Sequence, residues 1–557
     1  MRAKTIAVAA LGLLSVNLWA SNVNATELPK ILTDKAVQQT NYLPDYSYAG
    51  YANGERQPDI SEYRVIDVEQ HHINANDGKD DSLALLALLD ELNNQTRPVV
   101  LQFAAGRYIL SEIIYIQRSN IVLRGSGSGE GGTEFYFPRP LNYVKPPAEL
   151  AELREYLLSL NKIQKEKTNN IALPFSQWSW SGGFFWSKVD GQRVKQYLSA
   201  YEQPSQLLAQ AINGKQGEFS LTVNDASRLQ AGQVIEISWY NPEGEQGSFL
   251  NELYGEEKIK IGSHHWQQPE LALARQQVLI TDVRGQRIQI KAPLLHNIRP
   301  QWHVSLSEWQ HLQQVGFEHF KIAFPYAENI AHHVEQGFNG LYLTRLFNSW
   351  VDDVQINNAD SGILTEEIAS VTISNVTTGG DKLAHYSVQM GGVHNVLVDH
   401  LQVNNRVRHP LSFNTFSTRS VYANSAVAEQ PLLDQHSGIN QQNLFDNIQV
   451  RITLPAKGDK HYALFKGGGA GYWKPSHAAY NSFWNIRAEF TNRFEDNQPV
   501  LLDGMQDGPF ARLMGISANQ PVKVEYGPTA YMEGINHYYQ DVPSLYQYQL
   551  NQRIKAH

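Results

Sequence analysis

Residues 371–377 read VTISNVT, residues 396–403 read VLVDHLQV and residues 443–450 read NLFDNIQV. In each phrase, apolar and polar residues alternate around an Asn, Asp or His, and this period of two is typical of a β-strand that buries one face. Similar phrases recur between residues 340 and 490. The polar residues at their centres are Asp353, Asn375, His400, Asn424, Asn447 and Asn485.

The spacing of these central residues is close to one coil of a β-solenoid. Successive intervals are 22, 25, 24, 23 and 38 residues, and the last fits one coil plus an insertion. A solenoid coil buries its apolar face only by stacking on its neighbours. A leucine-rich repeat has a similar period, but it needs a leucine ladder and a helix in each unit, and the sequence shows neither. We predict that the central polar residues are structural and satisfy backbone groups at turns.

The N-terminal part adds a turn, a helix and further strand-like runs. Residues 73–89 read INANDGKDDSLALLALL, which predicts a turn followed by an amphipathic helix, and residues 123–127 read LRGSG. With the phrase EQGFN at 335–339, these stretches resemble the pectate-lyase superfamily over residues 64–137 and 296–556. The resemblance implies an all-β fold, a single-stranded right-handed parallel β-helix with an N-terminal capping helix. Such folds host lyases, hydrolases, epimerases and phage spikes, so the resemblance indicates the fold more than the reaction.

Five segments follow from these patterns. Residues 1–25 combine a charged start, an apolar run too short to span a bilayer and an end like a cleavage site, which is typical of a secretory signal. We therefore predict a secreted or periplasmic protein. The other segments are the N-terminal cap with the first coils (26–137), an inserted α+β flank subdomain (138–295), the main β-helix with a groove (296–542) and a C-terminal helix over the last coil (543–557). Within the insertion, residues 192–213 are predicted to be helical.

Composition limits the classes of partner. The 557 residues include no cysteine, so an exported chain must depend on a large core, which this length allows. The net charge of -9 argues against a nucleic-acid binder that uses a basic surface. No later segment has the uninterrupted apolar run needed to span a membrane. An acidic protein binds an acidic polymer only through a local cluster of cations.

Stacked coils offer such a cluster, because side chains one coil apart in sequence lie about 4.8 Å apart in space. Aligning the strands that precede the central polar residues gives one outward-facing column of basic and polar groups. Its members are Arg345, Glu366, Gln389, Asn414, His436 and Lys466. Three coils also begin alike at His385, His409 and His461, with Arg406 and Arg408 just before His409.

A glycine-rich insertion, GGGAGYWKPSH at 467–477, follows Lys466. An aromatic ring stacks on the apolar face of a pyranose while cations hold its carboxylate or sulfate groups. The sequence therefore predicts a sugar-binding groove. Its predicted substrate-binding residues are Arg345, His385, Gln389, Asn414, Arg406, Tyr472, Trp473, Lys474 and His477.

β-Elimination from a uronic acid needs a cation on the carboxylate, a base for the C5 proton and an acid for the leaving oxygen. Arg408 or Arg345 suits the first role, and Tyr386 or Tyr462 suits the third. The base is one of His409, His436 and Lys466. We predict a monomeric polysaccharide lyase that acts on an acidic, uronate-containing polysaccharide.

Other functions stay open. A glycoside hydrolase needs two carboxylates about 5 to 5.5 Å or about 6.5 to 9.5 Å apart. Candidates are Asp352, Asp353, Glu366, Glu367, Asp434 and Asp503. A non-catalytic carbohydrate-binding β-helix is the third class, and a uronate epimerase shares its first two steps with a lyase. Calcium accompanies many pectate-lyase-like β-helices and is left open. His332, His333 and Glu335 match no tight ligand spacing, so no metal site is predicted.

Overall fold

The computed structural model describes residues 28–164, 174–193, 195, 205–244, 247–255, 271–436, 438–454, 460–469, 474–492, 498–504 and 508–556. The predicted signal segment 1–25, Tyr472 and Trp473 lie outside these residues. Within the described ranges, no helix has the length and apolar character needed to cross a membrane.

Parallel pairing between successive coils dominates the structure. Leu397 pairs with Val421 and Val421 pairs with Leu444, which are the intervals of 24 and 23 residues predicted from the sequence. The architecture fits a parallel β-helix, while its right-handed winding stays a prediction. Among the residues that the structure describes, the large sheet has nineteen strands. They are Arg64–Asp67, Val99–Gln102, Gly106–Ile109, Ile121–Arg124, Thr133–Tyr136, Leu312–Gln313, Val315–Ala323, Leu346–Asn357, Ile368–Gly379, Val393–His394, Leu397–Asp399, Gln402–Val403, Val421–Ala423, Ala426–Val427, Leu444–Asp446, Gln449–Ile452, Ser482–Phe490, Arg512–Ala518 and Tyr531–Ile535.

Two smaller parallel sheets complete the coils. The seven-stranded sheet comprises Ile114–Ile116, Phe185–Ser187, Asn339–Thr344, Ser361–Glu366, Ala384–Met390, Val407–Phe413 and Leu433–Gln435. The three-stranded sheet comprises His461–Tyr462, Val500–Leu502 and Val522–Val524. The seven-stranded sheet carries the candidate site described below.

The central polar residues of the repeat form a corner of each coil. All six have φ between 47° and 56°, a left-handed backbone that Asn and Asp adopt more readily than most residues. The side-chain amide of Asn447 donates to Asn424 Oδ1 at 2.7 Å, so part of this ladder bonds along itself. Asn485 instead donates to backbone carbonyls of residues 539, 542 and 543, as predicted for the whole set.

Apolar side chains fill the interior of the coils. Tyr422, Phe445 and Phe483 occupy one register position in successive coils, and their ring centroids are 5.7 and 5.2 Å apart. The helix Ser82–Asn93 buries Leu85, Leu88, Leu89 and Leu92 in the same core, next to the first coils. It therefore lies where the N-terminal capping helix is predicted.

The inserted region contains a closed barrel of six strands with antiparallel pairing. The strands are Leu207–Gly214, Ser220–Val223, Val234–Trp239, Ala274–Arg284, Arg287–Ile290 and Ser305–Glu308. The helix predicted over 192–213 is wrong at its end, because Leu207–Gly214 is a strand. The barrel runs past the predicted boundary at 295. Phe185–Ser187, inside the predicted insertion, pairs in parallel with two strands of the seven-stranded sheet and so belongs to the coils.

Helices of the described residues lie outside the sheets. The α-helices are Lys30–Thr33, Lys35–Thr40, Ser82–Asn93, Leu150–Gln164, Ser248–Tyr254 and Leu545–Ala556. The 3-10 helices are Tyr51–Gly54, Val68–His71, Leu141–Tyr143, Gln177–Ser179 and Pro300–Trp302.

The terminal helix Leu545–Ala556 forms as predicted, but it does not sit on the last coil alone. Leu545 and Leu550 pack in one cluster with Leu397, Leu444 and Trp484, which belong to successive coils of the large sheet. The helix therefore lies along the flank of the coils. The N-terminal segment joins the same cluster through Ile31, Tyr46 and Ala49.

Candidate active site

Three consecutive strands of the seven-stranded sheet carry His385, His409 and Asp434, and His436 directly follows the third strand. The register pairs Tyr386 with His409, and Ser412 with both Gln389 and Asp434. The predicted column is therefore out of register in part. Gln389 aligns with Ser412 rather than with Asn414, His436 bridges to Gly468 rather than to Lys466, and Glu366 aligns with Thr344 rather than with Arg345.

Asp434 lies at the centre of this region and is fully buried. Its Oδ2 atom is 3.0 Å from His409 Nδ1 and 3.1 Å from His436 Nδ1. The hydroxyl of Ser412 donates to the same oxygen at 2.7 Å, and Asn414 Nδ2 donates to that hydroxyl oxygen at 2.9 Å. One carboxylate therefore faces the Nδ1 atoms of two imidazoles, and the Nε2 atom of His409 is buried without a hydrogen-bond partner among the described residues.

The electrostatics fit an ionised Asp434 beside a neutral His409. Burial raises the pKa of Asp434, but the charges of His436 and His409 and their hydrogen bonds outweigh it and lower this pKa well below its usual range. Burial also lowers the pKa of His409, although Asp434 opposes the shift. A neutral imidazole whose Nδ1 faces a carboxylate is the arrangement of a general base.

A second group of histidines adjoins this pair. His332 Nε2 lies 3.2 Å from His385 Nε2, and the His332 and His409 ring centroids are 6.0 Å apart. His385 Nδ1 is 3.4 Å from Glu335 Oε1, and that oxygen accepts a hydrogen bond from the backbone N–H of His333. Burial raises the pKa of Glu335 to about 7 and lowers that of His333 to about 3.

Arg408 lines an open cleft of about 380 Å³, and its charge lowers the pKa values of His332, His333 and His409. The residues that line the cleft are Leu383, Val407, Arg408, Gln430, Pro431, Leu432, Tyr462 and Ala463. Arg408 Nε is buried and has no hydrogen-bond partner among the described residues. Tyr462 donates its hydroxyl to Pro431 O at 2.9 Å, and burial raises its pKa to about 12. The cleft therefore offers a cation and a protonated phenol, and its cation is close enough to His409 to lower the pKa of that imidazole.

Arg345 does not face this cleft, so its predicted role in carboxylate binding is wrong. It is 2% exposed and forms an ion pair with Glu367. Glu367 also pairs with Arg193 at 2.7 Å and with Arg275 of the barrel at 3.0 Å. These four residues form a buried ion cluster that joins the barrel to the coils.

The remaining predicted subsite residues are divided between surface and interior. Lys466 and Arg406 are exposed, and His461 pairs with Asp503. Gln389 is buried and accepts a hydrogen bond from the backbone N–H of Thr365 at 3.2 Å. His477 is fully buried and accepts from the backbone N–H of Gly508, and Lys474 bonds to Ser476. His477 therefore does not line an exposed sugar subsite.

Sequence reasoning missed part of the site. It predicted no metal site at His332, His333 and Glu335, and it did not connect them with His385. It also passed over Trp180, whose ring centroid is 4.7 Å from that of His333. The adjacent histidines His332 and His333 were the available signal in the sequence. Their loop packs against the distant strand Ala384–Met390, and such a long-range contact leaves no local sequence pattern.

No protein-family model and no curated protein matches the chain. Among solved structures, it is similar to the tailspike protein gp49 from Pseudomonas phage LKA1, with a TM-score of 0.45, 13% identity and coverage of 82% of this chain and 74% of that one. It is also similar to the gp54 tailspike of Acinetobacter baumannii bacteriophage AP22, solved with a capsular saccharide. The TM-score is 0.35 at 15% identity, with coverage of 84% of this chain and 68% of that one. A third similar structure is DFA-IIIase from Arthrobacter chlorophenolicus A6 in complex with GF2. The TM-score is 0.38 at 12% identity, with coverage of 85% of this chain and 93% of that one. Likeness at this level assigns neither a family nor an activity.

Proposed function

We propose that the chain is a polysaccharide lyase that cleaves an acidic, uronate-containing polysaccharide by β-elimination at the Arg408 cleft. The observation that carries the proposal is the Asp434 carboxylate, which faces His409 and His436, together with Arg408, the residue before His409, whose buried Nε has no hydrogen-bond partner among the described residues. A buried carboxylate flanked by imidazoles fits proton abstraction, and the neighbouring cation fits a negatively charged sugar.

The residues divide the reaction among them. Arg408 pairs with the uronate carboxylate and makes the C5 proton more acidic. Nε2 of His409 or His436 takes that proton, the C4–C5 double bond forms, and the bond from C4 to the leaving oxygen breaks. Tyr462 in the cleft, or Tyr386 stacked on His409 with ring centroids 5.2 Å apart, protonates the leaving oxygen. Burial raises the pKa of both phenols, so each keeps its proton until the leaving oxygen takes it.

The carboxylates favour elimination over glycoside hydrolysis. Glu366 is paired with Lys195 at 2.9 Å, Glu367 with three arginines, and Asp503 with His461. Asp434 faces two imidazoles. A hydrolase needs two carboxylates free to act on the bond or on a water. These four carboxylates face basic side chains, Asp353 pairs with His319 at 2.9 Å, and Asp352 accepts hydrogen bonds from Ser374 and Asn375.

The experiment is digestion of a panel of pectin, alginate, glycosaminoglycan and algal glucuronate polymers, followed by ultraviolet absorbance and by reducing ends. A lyase raises both signals, because each cut leaves an unsaturated uronate. Reducing ends without absorbance would show a hydrolase, and binding without either signal would show a non-catalytic protein. Both outcomes would overturn the proposal.

A matched pair of arginines tests the site. Arg408→Ala is expected to lower kcat/KM on the identified polymer by about 10² to 10³, the loss typical of removing one charge-stabilising donor. Arg451→Ala, at an exposed position in the strand Gln449–Ile452 of the large sheet, is expected to keep the wild-type value. Equal activity of the two variants would exclude Arg408 from the reaction.

Export with a cleaved leader and a monomeric state stay predictions, and a calcium requirement stays open. N-terminal sequencing of the secreted protein, light scattering after gel filtration, and activity with EGTA or added CaCl₂ test them in turn.

A further inference from the structure

We infer that His332, His333 and His385 together bind one divalent transition-metal ion of the zinc class. This site is separate from the Asp434 pair, and the inference does not depend on the reaction proposed above.

The ligand atoms are already close together. Each of the three histidines offers a ring nitrogen, and these nitrogens all lie within 4.8 Å of one another. His332 Nε2 and His385 Nε2 are 3.2 Å apart. Two nitrogens bound at about 2.0 to 2.1 Å to one tetrahedral zinc are about 3.3 to 3.4 Å apart, so this pair needs little movement to bind an ion.

The backbone explains how adjacent histidines reach one point. Successive side chains of an extended strand point to opposite faces. His333 instead has φ of 70°, in the left-handed region, and its ring centroid is 3.7 Å from that of His332. Because of this local conformation, the three histidines converge without a regular ligand spacing in the sequence.

A carboxylate stands behind the ligands. Glu335 Oε1 is 3.4 Å from His385 Nδ1, on the opposite side of the ring from Nε2. Glu335 is 3% exposed, and it accepts hydrogen bonds from the backbone N–H of His333 and from the Ser179 hydroxyl. Histidine ligands commonly donate their second ring N–H to a carboxylate, which fixes the tautomer and orients the ring.

The ligand set selects the class of metal. Imidazole nitrogens suit Zn²⁺, Cu²⁺ and Ni²⁺, whereas calcium takes carboxylate and carbonyl oxygens. Three protein ligands leave one position of a tetrahedral ion for water or for a substrate oxygen. The His385 and His409 ring centroids are 5.4 Å apart, so an ion here would lie next to the Asp434 pair.

Metal binding by the purified full chain tests the inference without any substrate. After dialysis against EDTA and removal of the chelator, the protein is titrated with ZnCl₂ by calorimetry and with CoCl₂ by visible absorption. We expect one equivalent of each metal, with the strong visible bands of tetrahedral cobalt, and no comparable binding of CaCl₂. A wild-type protein that binds neither zinc nor cobalt stoichiometrically would overturn the inference.

Variants locate the ion. His332→Ala, at a partly buried position, is expected to abolish stoichiometric binding, and Glu335→Gln to weaken it by 10- to 100-fold, as for other carboxylates behind metal ligands. His400→Ala, at an exposed histidine paired with Asp399, serves as control and is expected to bind like the wild type. Circular dichroism checks that each variant folds. Binding lost in His436→Ala but kept in His332→Ala would place the ion elsewhere and overturn the inference.

Discussion

Asp434 shows how much one side chain decides in this molecule. Its Oδ2 atom faces His409 and His436, and a carboxylate in that position sets the tautomer of both rings. With Nδ1 protonated, each ring presents a basic Nε2 atom. The orientation of two candidate bases thus depends on one charge that is fully buried.

Asp434→Asn keeps the size of the side chain and removes that charge. We expect kcat on the identified polymer to fall by about 10² to 10⁴, because the amide no longer holds the productive tautomer, while KM changes little. Steady-state kinetics measure both constants. Asp225→Asn, at an exposed turn, is the control. A kcat for Asp434→Asn within threefold of the wild type would show that the pair takes no part in catalysis.

Glu367 differs from Asp434, because its contacts stabilise the fold and take no part in the proposed reaction. Burial raises its pKa, but the charges of Arg193, Arg345 and Arg275 outweigh this and lower it to about 2. Glu367→Gln leaves these buried cations without their carboxylate, so we expect a loss of about 3 to 5 kcal/mol in the free energy of unfolding. Urea unfolding measures it. Glu429→Gln, on the surface, is expected to stay within about 0.5 kcal/mol, and similar losses in the two variants would contradict the assignment.

The strands of the coils were easier to predict from the sequence than the strands of the inserted region, for a physical reason. A left-handed corner favours Asn or Asp in every coil, so Asn375, Asn424 and Asn447 mark the repeat in the sequence itself. Residues 207–214, LLAQAING, have helix-forming side chains, yet they pair with neighbouring barrel strands. There, tertiary pairing overrides local propensity, which the sequence alone does not reveal.

The N-terminus of the terminal helix Leu545–Ala556 is capped by Asp446, a buried carboxylate at the end of the strand Leu444–Asp446. Asp446 accepts hydrogen bonds from the Ser544 hydroxyl at 2.5 Å and from the backbone N–H groups of Leu545 and Tyr546 at 2.9 and 3.0 Å. Burial nevertheless raises its pKa to about 7. The folded chain therefore binds this proton more tightly than the unfolded chain, where the pKa is about 3.9.

This difference predicts the sign of a pH effect. As pH rises from about 4 to about 7, the unfolded chain loses the proton first, so the contribution of Asp446 to stability decreases across that window and is level above it. Asp446→Asn does not titrate. The stability of the wild type relative to this variant should then be greater at pH 5 than at pH 7, as measured by thermal midpoints. An equal difference at both values would contradict the raised pKa.

At the scale of the whole molecule, the site is assembled from segments far apart in the chain. Ser179 and Trp180 come from the inserted region, His332 to Glu335 from a loop, and His409 and Asp434 from two later coils. The coil spacing predicted that His385 and His409 lie on neighbouring coils, because both begin a repeat, although Tyr386 rather than His385 pairs with His409. It did not predict the loop, since the path of a loop across the sheet is set by packing that leaves no period in the sequence.

The last prediction concerns the salt dependence of kcat/KM, and it follows from the net charge of the whole chain. The molecule carries -9 and the proposed substrate is also negative, whereas the attraction at Arg408 is local. Long-range repulsion is screened first, because the Debye length falls from about 30 Å at 0.01 M salt to about 10 Å at 0.1 M. We therefore expect kcat/KM on a long polymer to rise over this range, and to fall towards 1 M salt as contacts with Arg408 are screened too. Oligosaccharides of the same polymer, which carry fewer charges, should show a smaller initial rise. A kcat/KM on the polymer that falls steadily from the lowest salt would mean that local cations, rather than the net charge, govern the encounter.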